Sequence, residues 1–250
     1  MNTYGLIGYP LVHSYSQTFF NEKFGKENID ARYLNFEIKE VQELRGILEN
    51  DKDIVGLNVT IPHKQTVIPL LDSLSEEARE IGAVNVIKVL QVQGQTYLKG
   101  YNSDVLGFAR SISPLLKTHH KKALVLGTGG ASKAVCYGLK LLGVEPARVS
   151  RTAGKGNFTY ADLNEAVMSE YNVVINCTPL GTFPNTNGCP DIPYKLLNEK
   201  HLLFDLVYNP DETLFLKRGK AQGATVKNGL EMLHLQALAA WELWNDKQYE

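Results

Sequence analysis

The sequence predicts an α/β fold in two domains. Three observations lead there. Short apolar runs alternate with longer amphipathic stretches along the chain, the run Ala123-Leu124-Val125-Leu126 is uninterrupted as in a strand buried on both faces, and a glycine-rich turn follows it directly. At 250 residues the chain has room for two medium domains, and 44% hydrophobic against 21% charged residues supplies a core without covalent staples. Lys plus Arg number 26 and Asp plus Glu 27, a balance that gives no electrostatic reason to expect nucleic acid or a membrane surface as partner.

Taken in order, residues 4–7 carry the first strand pattern and 16–25 the helix after it. Strands at 31–36, 56–59 and 83–89 follow, with a helix over 41–49. Alternation of this kind argues for a largely parallel sheet. A second block opens near residue 102, with a helix over 106–113 and a polar connector over 115–122. After the strand at 123–126 come a helix over 131–142 and strands at 148–150, 173–175, 202–204 and 224–226. Residues 229–249 form the last helix, with Met232, Leu233, Leu235, Ala239, Ala240 and Leu243 on its apolar face.

Cys136, Cys177 and Cys189 are odd in number and show no metal-ligand spacing, so no metal site is expected and a reducing compartment is. The first residues lack the basic and apolar regions of a signal peptide, and no apolar run approaches the ~20 residues of a membrane span. A cytoplasmic location is the expectation.

Gly127-Thr128-Gly129-Gly130-Ala131-Ser132 joins the apolar strand to a helix. Glycines let the backbone turn tightly and approach a pyrophosphate, and a helix N-terminus offers free N–H groups and a positive dipole end. The spacing is that of a dinucleotide-binding Gly-x-Gly-x-x-Gly/Ala turn, with Ser132 at its third position. At the end of the next strand, where NAD enzymes carry an acidic residue for the ribose, stand Ser150-Arg151-Thr152, with Lys155 close behind. A guanidinium and an ammonium attract a 2′-phosphate, which favours NADP over NAD.

Ser14 and Ser16 precede a helix, where hydroxyls serve either as N-cap or as donors to a carboxylate. Lys64 ends Asn58-Val59-Thr60-Ile61-Pro62-His63-Lys64, just past a strand end, as a surface lysine or as a proton-transfer group. His63 is a possible base or a packed histidine. Asp104, in Asn102-Ser103-Asp104, is a helix cap or the carboxylate partner of a lysine. Asn85 is a polar residue in a buried strand and requires a partner, and Gln236 interrupts the apolar face of the last helix.

Together these pieces resemble the shikimate dehydrogenase family, in the right order along the whole chain. Ser14 and Ser16 match its Ser-x-Ser, the segment ending at Lys64 its Asn-Val-Thr-x-Pro-x-Lys, Gly82-Ala83-Val84-Asn85 its Gly-Ala-x-Asn, and Asn102-Ser103-Asp104 its Asn-Thr-Asp. The glycine turn and Arg151-Thr152 match in the second block, as do Asn176-Cys177-Thr178-Pro179-Leu180-Gly181, Asp205-Leu206-Val207-Tyr208-Asn209-Pro210 with Thr213, and the helix carrying Gly229, Met232 and Gln236. Gln17 stands where the family has Pro, Phe20 where it has His, and Val86 and Ser103 where it has Thr.

The resemblance implies an N-terminal open α/β substrate domain, residues 1–101, completed by the returning helix 229–250, and a Rossmann-type NADP-binding domain over 102–228. It implies reversible reduction of 3-dehydroshikimate to shikimate with NADPH, a step of chorismate and aromatic amino acid biosynthesis, by a monomer or homodimer. Lys64 and Asp104 become the catalytic pair. Ser14 and Ser16 hold the carboxylate, and Thr60, Asn85, Tyr208 and Gln236 hold ring hydroxyls or close the pocket. Gly127, Thr128, Gly129, Gly130, Ala131, Ser150, Arg151, Thr152, Lys155, Thr178, Gly229 and Met232 contact the cofactor. Two alternatives stand beside this: a quinate/shikimate dehydrogenase using NAD, which the basic strand end opposes, and a non-catalytic metabolite sensor, which the presence of both Lys64 and Asp104 opposes.

Overall fold

A computed structural model describes residues 1–11 and 15–246. The chain divides into two compact units, Met1–Ser103 with Ala237–Glu250, and Asp104–Gln236.

The first unit runs β1 (Asn2–Gly8), α1 (Tyr15–Glu27), β2 (Ala31–Glu37), α2 (Glu43–Asn50), β3 (Ile54–Val59), β4 (Ser73–Leu74), α3 (Glu76–Ile81), β5 (Val86–Val92) and β6 (Gln95–Tyr101). Its sheet has the order β2-β1-β3-β5-β6-β4. β1 lies parallel to β2 and β3, and β4 to β6, but β5 is antiparallel to both β3 and β6. That hairpin is the departure from the parallel expectation. Gln93 and Gly94 both take positive φ, 52° and 80°, which turns the chain back in two residues and makes a crossover helix unnecessary. β5 also starts at Val86, later than expected, and Asn85 stands in a bend before it.

The end of α8 (Leu230–Asn245) completes this unit. Trp244 is buried, donates its indole N–H to the Ile87 carbonyl at 3.0 Å, and lies against Tyr4 with ring centroids 4.8 Å apart. Gly56 on β3 makes room for it: a Cβ there would stand 2.6 Å from the indole ring. Phe20 stacks on Tyr33 at 4.9 Å in the same aromatic cluster.

The second unit holds α4 (Ser103–Ile112), which starts at its boundary, then β7 (Lys122–Leu126), α5 (Gly130–Leu141), β8 (Glu145–Ser150), β9 (Phe158–Thr159), α6 (Glu165–Glu170), β10 (Val173–Asn176), β11 (Leu202–Asp205), α7 (Leu214–Ala221), β12 (Thr225–Lys227) and the start of α8. Its strand order is β12-β11-β10-β7-β8-β9, every pairing parallel. Val173, Val174, Ile175, Leu202, Leu203 and Phe204 have no exposed surface, as continuous apolar runs under two helical layers require. The order reverses between β7 and β10, and their carboxyl ends are where an open α/β sheet binds its ligand.

Candidate active site

In the first unit a buried chain of polar groups starts at the strand ends. Tyr33 on β2 is fully buried and donates its hydroxyl proton to Asn58 Oδ1 at 2.7 Å, with the Ser16 hydroxyl as a further partner. Burial pushes the Tyr33 phenol up, and the Ser16 bond opposes that push. Asn58 at the end of β3 donates to the Asn85 carbonyl at 3.2 Å. Asn85 has the partner its burial demands: its Oδ1 accepts the Ser103 N–H at 2.7 Å, and its Nδ2 donates to the Ser103 hydroxyl at 3.1 Å. Ser16, Asn58, Asn85 and Ser103 thus form one connected set, and Ser103 opens the helix whose next residue is Asp104.

Lys64 is half-buried in the turn after β3, where its carbonyl accepts the Val84 N–H at 2.7 Å. The buried Asn102 side chain donates to Ala83 at 3.0 Å, next in the chain to Val84. Thr60 directly follows β3, and its N–H donates to Ile7 on β1 at 2.9 Å. Gly8 gives Thr60 its room, since a Cβ there would lie 2.4 Å from the threonine methyl. His63 is a packed histidine, buried with Nε2 2.9 Å from the Ile38 carbonyl. Ser14 lies outside the described residues.

In the second unit the glycine turn has the shape its sequence suggested. Gly127 takes φ 114°, a conformation closed to most side chains, and a Cβ there would press on the Thr178 methyl at 3.3 Å. Gly129 caps α5 without a side-chain acceptor, and a Cβ on Gly129 or Gly130 would meet nothing within 4 Å. Open space in front of an uncapped helix start fits an anion. Thr128 and Ala131 flank this turn. Ser132 is buried and donates to the Gly129 carbonyl at 2.7 Å, so the third position of the fingerprint serves the turn itself.

At the end of β8, Ser150 is buried and its hydroxyl accepts the Thr152 N–H at 3.1 Å, while Arg151 and Lys155 are exposed. The Arg151 charge opposes the upward push of burial on Tyr160. This cationic, accessible strand end fits a 2′-phosphate. Gly229 before α8 approaches the Leu206 carbonyl so closely that a Cβ would sit 2.2 Å from it, and Met232 lies one turn further on, half-buried. Gln236 donates to the Leu233 carbonyl at 3.0 Å, a backbone partner within its own helix, and Gly107 of α4 packs against its backbone. Tyr208 is exposed in the loop after β11. Among the described residues no cluster of three His, Cys, Asp or Glu is arranged for a metal ion.

Residue-by-residue reading of the sequence missed four groups that organise these sites: Tyr33, Asn58, Asn176 and Asp205. The last two carried a signal, since each is a polar residue closing an otherwise apolar buried strand. They are register partners on β10 and β11.

The second unit is thus a Rossmann-type dinucleotide-binding domain, and the protein belongs to the class that pairs such a domain with a second α/β unit. The model of the shikimate dehydrogenase substrate binding domain matches residues 6–87. A shikimate dehydrogenase (NADP(+)) of Desulforamulus reducens is 35% identical over 263 residues, spanning 96% of this chain and 88% of that protein. The crystal structure of a shikimate 5-dehydrogenase from Thermus thermophilus in complex with NADP(H) and shikimate is 31% identical, with a TM-score of 0.81 over 98% of this chain and 94% of the other. A quinate dehydrogenase from Corynebacterium glutamicum in complex with NAD is 26% identical, with a TM-score of 0.85 over 98% and 93%. The chain belongs to the shikimate dehydrogenase family.

Proposed function

We propose that this chain catalyses the reversible NADPH-dependent reduction of 3-dehydroshikimate to shikimate, as an oxidoreductase acting on a CH–OH group. The observation that carries the reading is family membership over nearly the whole chain, with Lys64 and Asp104 both present at the positions of the family's motifs. The open helix start behind Gly127 and the exposed Arg151 and Lys155 support NADP as cofactor.

Gly127, Thr128, Gly129, Gly130 and Ala131 hold the pyrophosphate on N–H groups. Ser150, Arg151, Thr152 and Lys155 take the ribose phosphate, and Thr178, Gly229 and Met232 meet the nicotinamide end. When bound, NADPH supplies the hydride. Lys64 gives a proton to the substrate oxygen during reduction and withdraws it in the reverse direction, and Asp104 accepts the hydrogen bond of the reacting hydroxyl. Ser14 and Ser16 bind the carboxylate, and Thr60, Asn85, Tyr208 and Gln236 hold ring hydroxyls. Action in the cytoplasm as a monomer or homodimer belongs to the same proposal; Cys136, Cys177 and Cys189 are free thiols, as a reducing compartment keeps them.

The test is an absorbance assay of NADPH formation with shikimate and with quinate, each with NADP and with NAD. Turnover highest with shikimate and NADP is expected. Preference for NAD would transfer the chain to the quinate/shikimate reading, and no turnover with either acid would end the dehydrogenase proposal.

A further inference from the structure

We infer that Asp205 is a positioning residue for the reaction proposed above: its carboxylate orients Thr178 through Asn176, and the backbone leading to Tyr208 through Val207. Asp205 has no exposed surface. Its Oδ1 accepts from Asn176 Nδ2 at 2.9 Å and from the Val207 N–H at 3.0 Å, and its Oδ2 accepts the Thr213 hydroxyl at 2.5 Å. No Lys or Arg among the described residues forms a salt bridge with it. Burial raises its pKa to about 6, against the pull of the three donors. A buried carboxylate without a counter-charge is costly, and an apolar group of like volume is often as stable, so its value lies in what it orients.

An ionised carboxylate only accepts, so Asn176 must present its NH2 to Asp205 and its oxygen to the other side. There Asn176 Oδ1 accepts both the Thr178 N–H at 3.0 Å and the Thr178 hydroxyl at 2.6 Å. The single hydroxyl proton of Thr178 is thereby committed; one lone pair of its oxygen accepts the Leu180 N–H at 3.4 Å, and the other is left for an approaching donor. Thr178 also borders the glycine turn, through its methyl group beside Gly127. On the other side Val207 precedes Tyr208, and its carbonyl accepts the Gly229 N–H at 3.2 Å. Proposed contacts at Thr178, Tyr208 and Gly229 therefore depend on one side chain that touches neither substrate nor cofactor in the proposed mechanism. The inference rests on the dehydrogenase reading, which the experiment tests separately.

The full chain is prepared as Asp205→Asn and Asp205→Leu, each alone and with Thr178→Val, and kcat and both KM values are measured with shikimate and NADP. Asparagine keeps an oxygen for Asn176 and Val207 and turns its NH2 to Thr213, so losses stay within about tenfold, one hydrogen bond's worth. Leucine raises KM for NADP and lowers kcat/KM by about 10²-fold, the scale of a ~1 Å misplacement. Thr178→Val then costs nothing further, because the two act as one unit. A merely structural role would lower the active fraction at unchanged KM, and that result, or additive losses, would overturn the inference. Amide NMR shifts of the unliganded wild type over pH decide independently, even where Asp205→Leu does not fold. Val207 and Thr178 N–H signals should move together with a midpoint near 6, and both should stay flat in Asp205→Asn. Cys177 and Tyr194, the ionisable groups interacting with Asp205, are both pushed upward by burial and do not titrate there. A Thr178 signal that ignores the Val207 midpoint sinks the relay. Absent shikimate turnover in the wild type would remove the dehydrogenase reading instead, leaving the NMR result to judge Asp205.

Discussion

In the proposed reaction, Lys64 and Arg151 are residues whose single replacement should separate chemistry from binding. Lys64→Ala should lower kcat by about 10²–10⁴-fold, the usual worth of a positioned proton-transfer group. Its NADP affinity, read by quenching of intrinsic fluorescence, should stay near wild type; near-native turnover would take Lys64 out of the mechanism. Arg151→Ala should raise KM for NADP about 10- to 100-fold, since a hydrogen bond to a charged group is worth about 1.5–3 kcal/mol, and leave KM for NAD almost unchanged. Equal losses for both cofactors would refute the 2′-phosphate role. Both residues were visible in the sequence because Arg151 directly follows one strand pattern and Lys64 stands in the turn after another. Tyr33 was not: it sits inside the strand run Arg32-Tyr33-Leu34, where a core tyrosine looks the same whether or not its hydroxyl is used. Only the fold brings Asn58 to 2.7 Å from it.

At the scale of elements, the β7–α5 turn predicts two different alanine effects. Gly127→Ala forces a side chain into φ 114° and against Thr178, which should cost about 1–3 kcal/mol in urea unfolding. Gly129→Ala has open space and extended backbone, φ −76° and ψ −176°, so stability should move by less than about 0.5 kcal/mol while NADP binding weakens. Weakened binding from Gly127→Ala alone would show that the space before α5 is not the phosphate site. The segments before β7 and β11 carry a pH dependence. His201 Nδ1 accepts the Asn198 N–H at 3.1 Å with Nε2 at 3.0 Å from the Met168 carbonyl, and His120 accepts the Lys117 N–H at 3.0 Å. Burial holds both imidazoles below their ordinary value. The folded protein keeps them neutral, so their contribution is complete above about pH 6.5 and is lost as pH falls and the unfolded chain takes up protons. Urea midpoints from pH 7.5 to 5 should fall less steeply in His120→Gln/His201→Gln than in wild type. Asp205, raised to about 6, favours the fold on the acid side equally in both proteins and leaves the difference intact. Parallel slopes would contradict the argument. The long apolar strands and α5 were legible because period and punctuation agree. The strand Gln95–Tyr101 was not, because Gln95-Thr96-Tyr97-Leu98-Lys99-Gly100-Tyr101 alternates weakly and owes its pairing to β5 across a two-residue turn.

For the whole molecule, the C-terminal helix ties the last residues of the chain to the first unit. Trp244 packs on Gly56, bonds to Ile87 and joins the ring cluster of Tyr4 and Phe20. Trp244→Ala should destabilise the protein by about 3–5 kcal/mol, the range for deleting a buried aromatic side chain, as read from the urea transition followed by far-UV circular dichroism. A loss below about 1 kcal/mol would mean that the helix end contributes little to that unit. The motif resemblance implied that residues 229–250 as a whole complete the first domain, whereas the division into units falls within this helix, between Gln236 and Ala237. Spacing alone gave only its amphipathic face, and no local signal could say which strands, about 157 positions earlier in the chain, would receive Trp244.

The sequence by itself determined the fold class, the glycine turn, the basic strand end that favours NADP, and the family. Each of these is written in contiguous residues whose spacing reflects local backbone geometry. The tertiary structure alone decided the antiparallel hairpin in the first sheet, the Ser16–Tyr33–Asn58–Asn85–Ser103 chain and the Asp205 hub, since a hydrogen bond between residues 25 or 29 positions apart depends on which strands lie side by side. Strand neighbours follow from burying a common core, a global balance that no local pattern encodes.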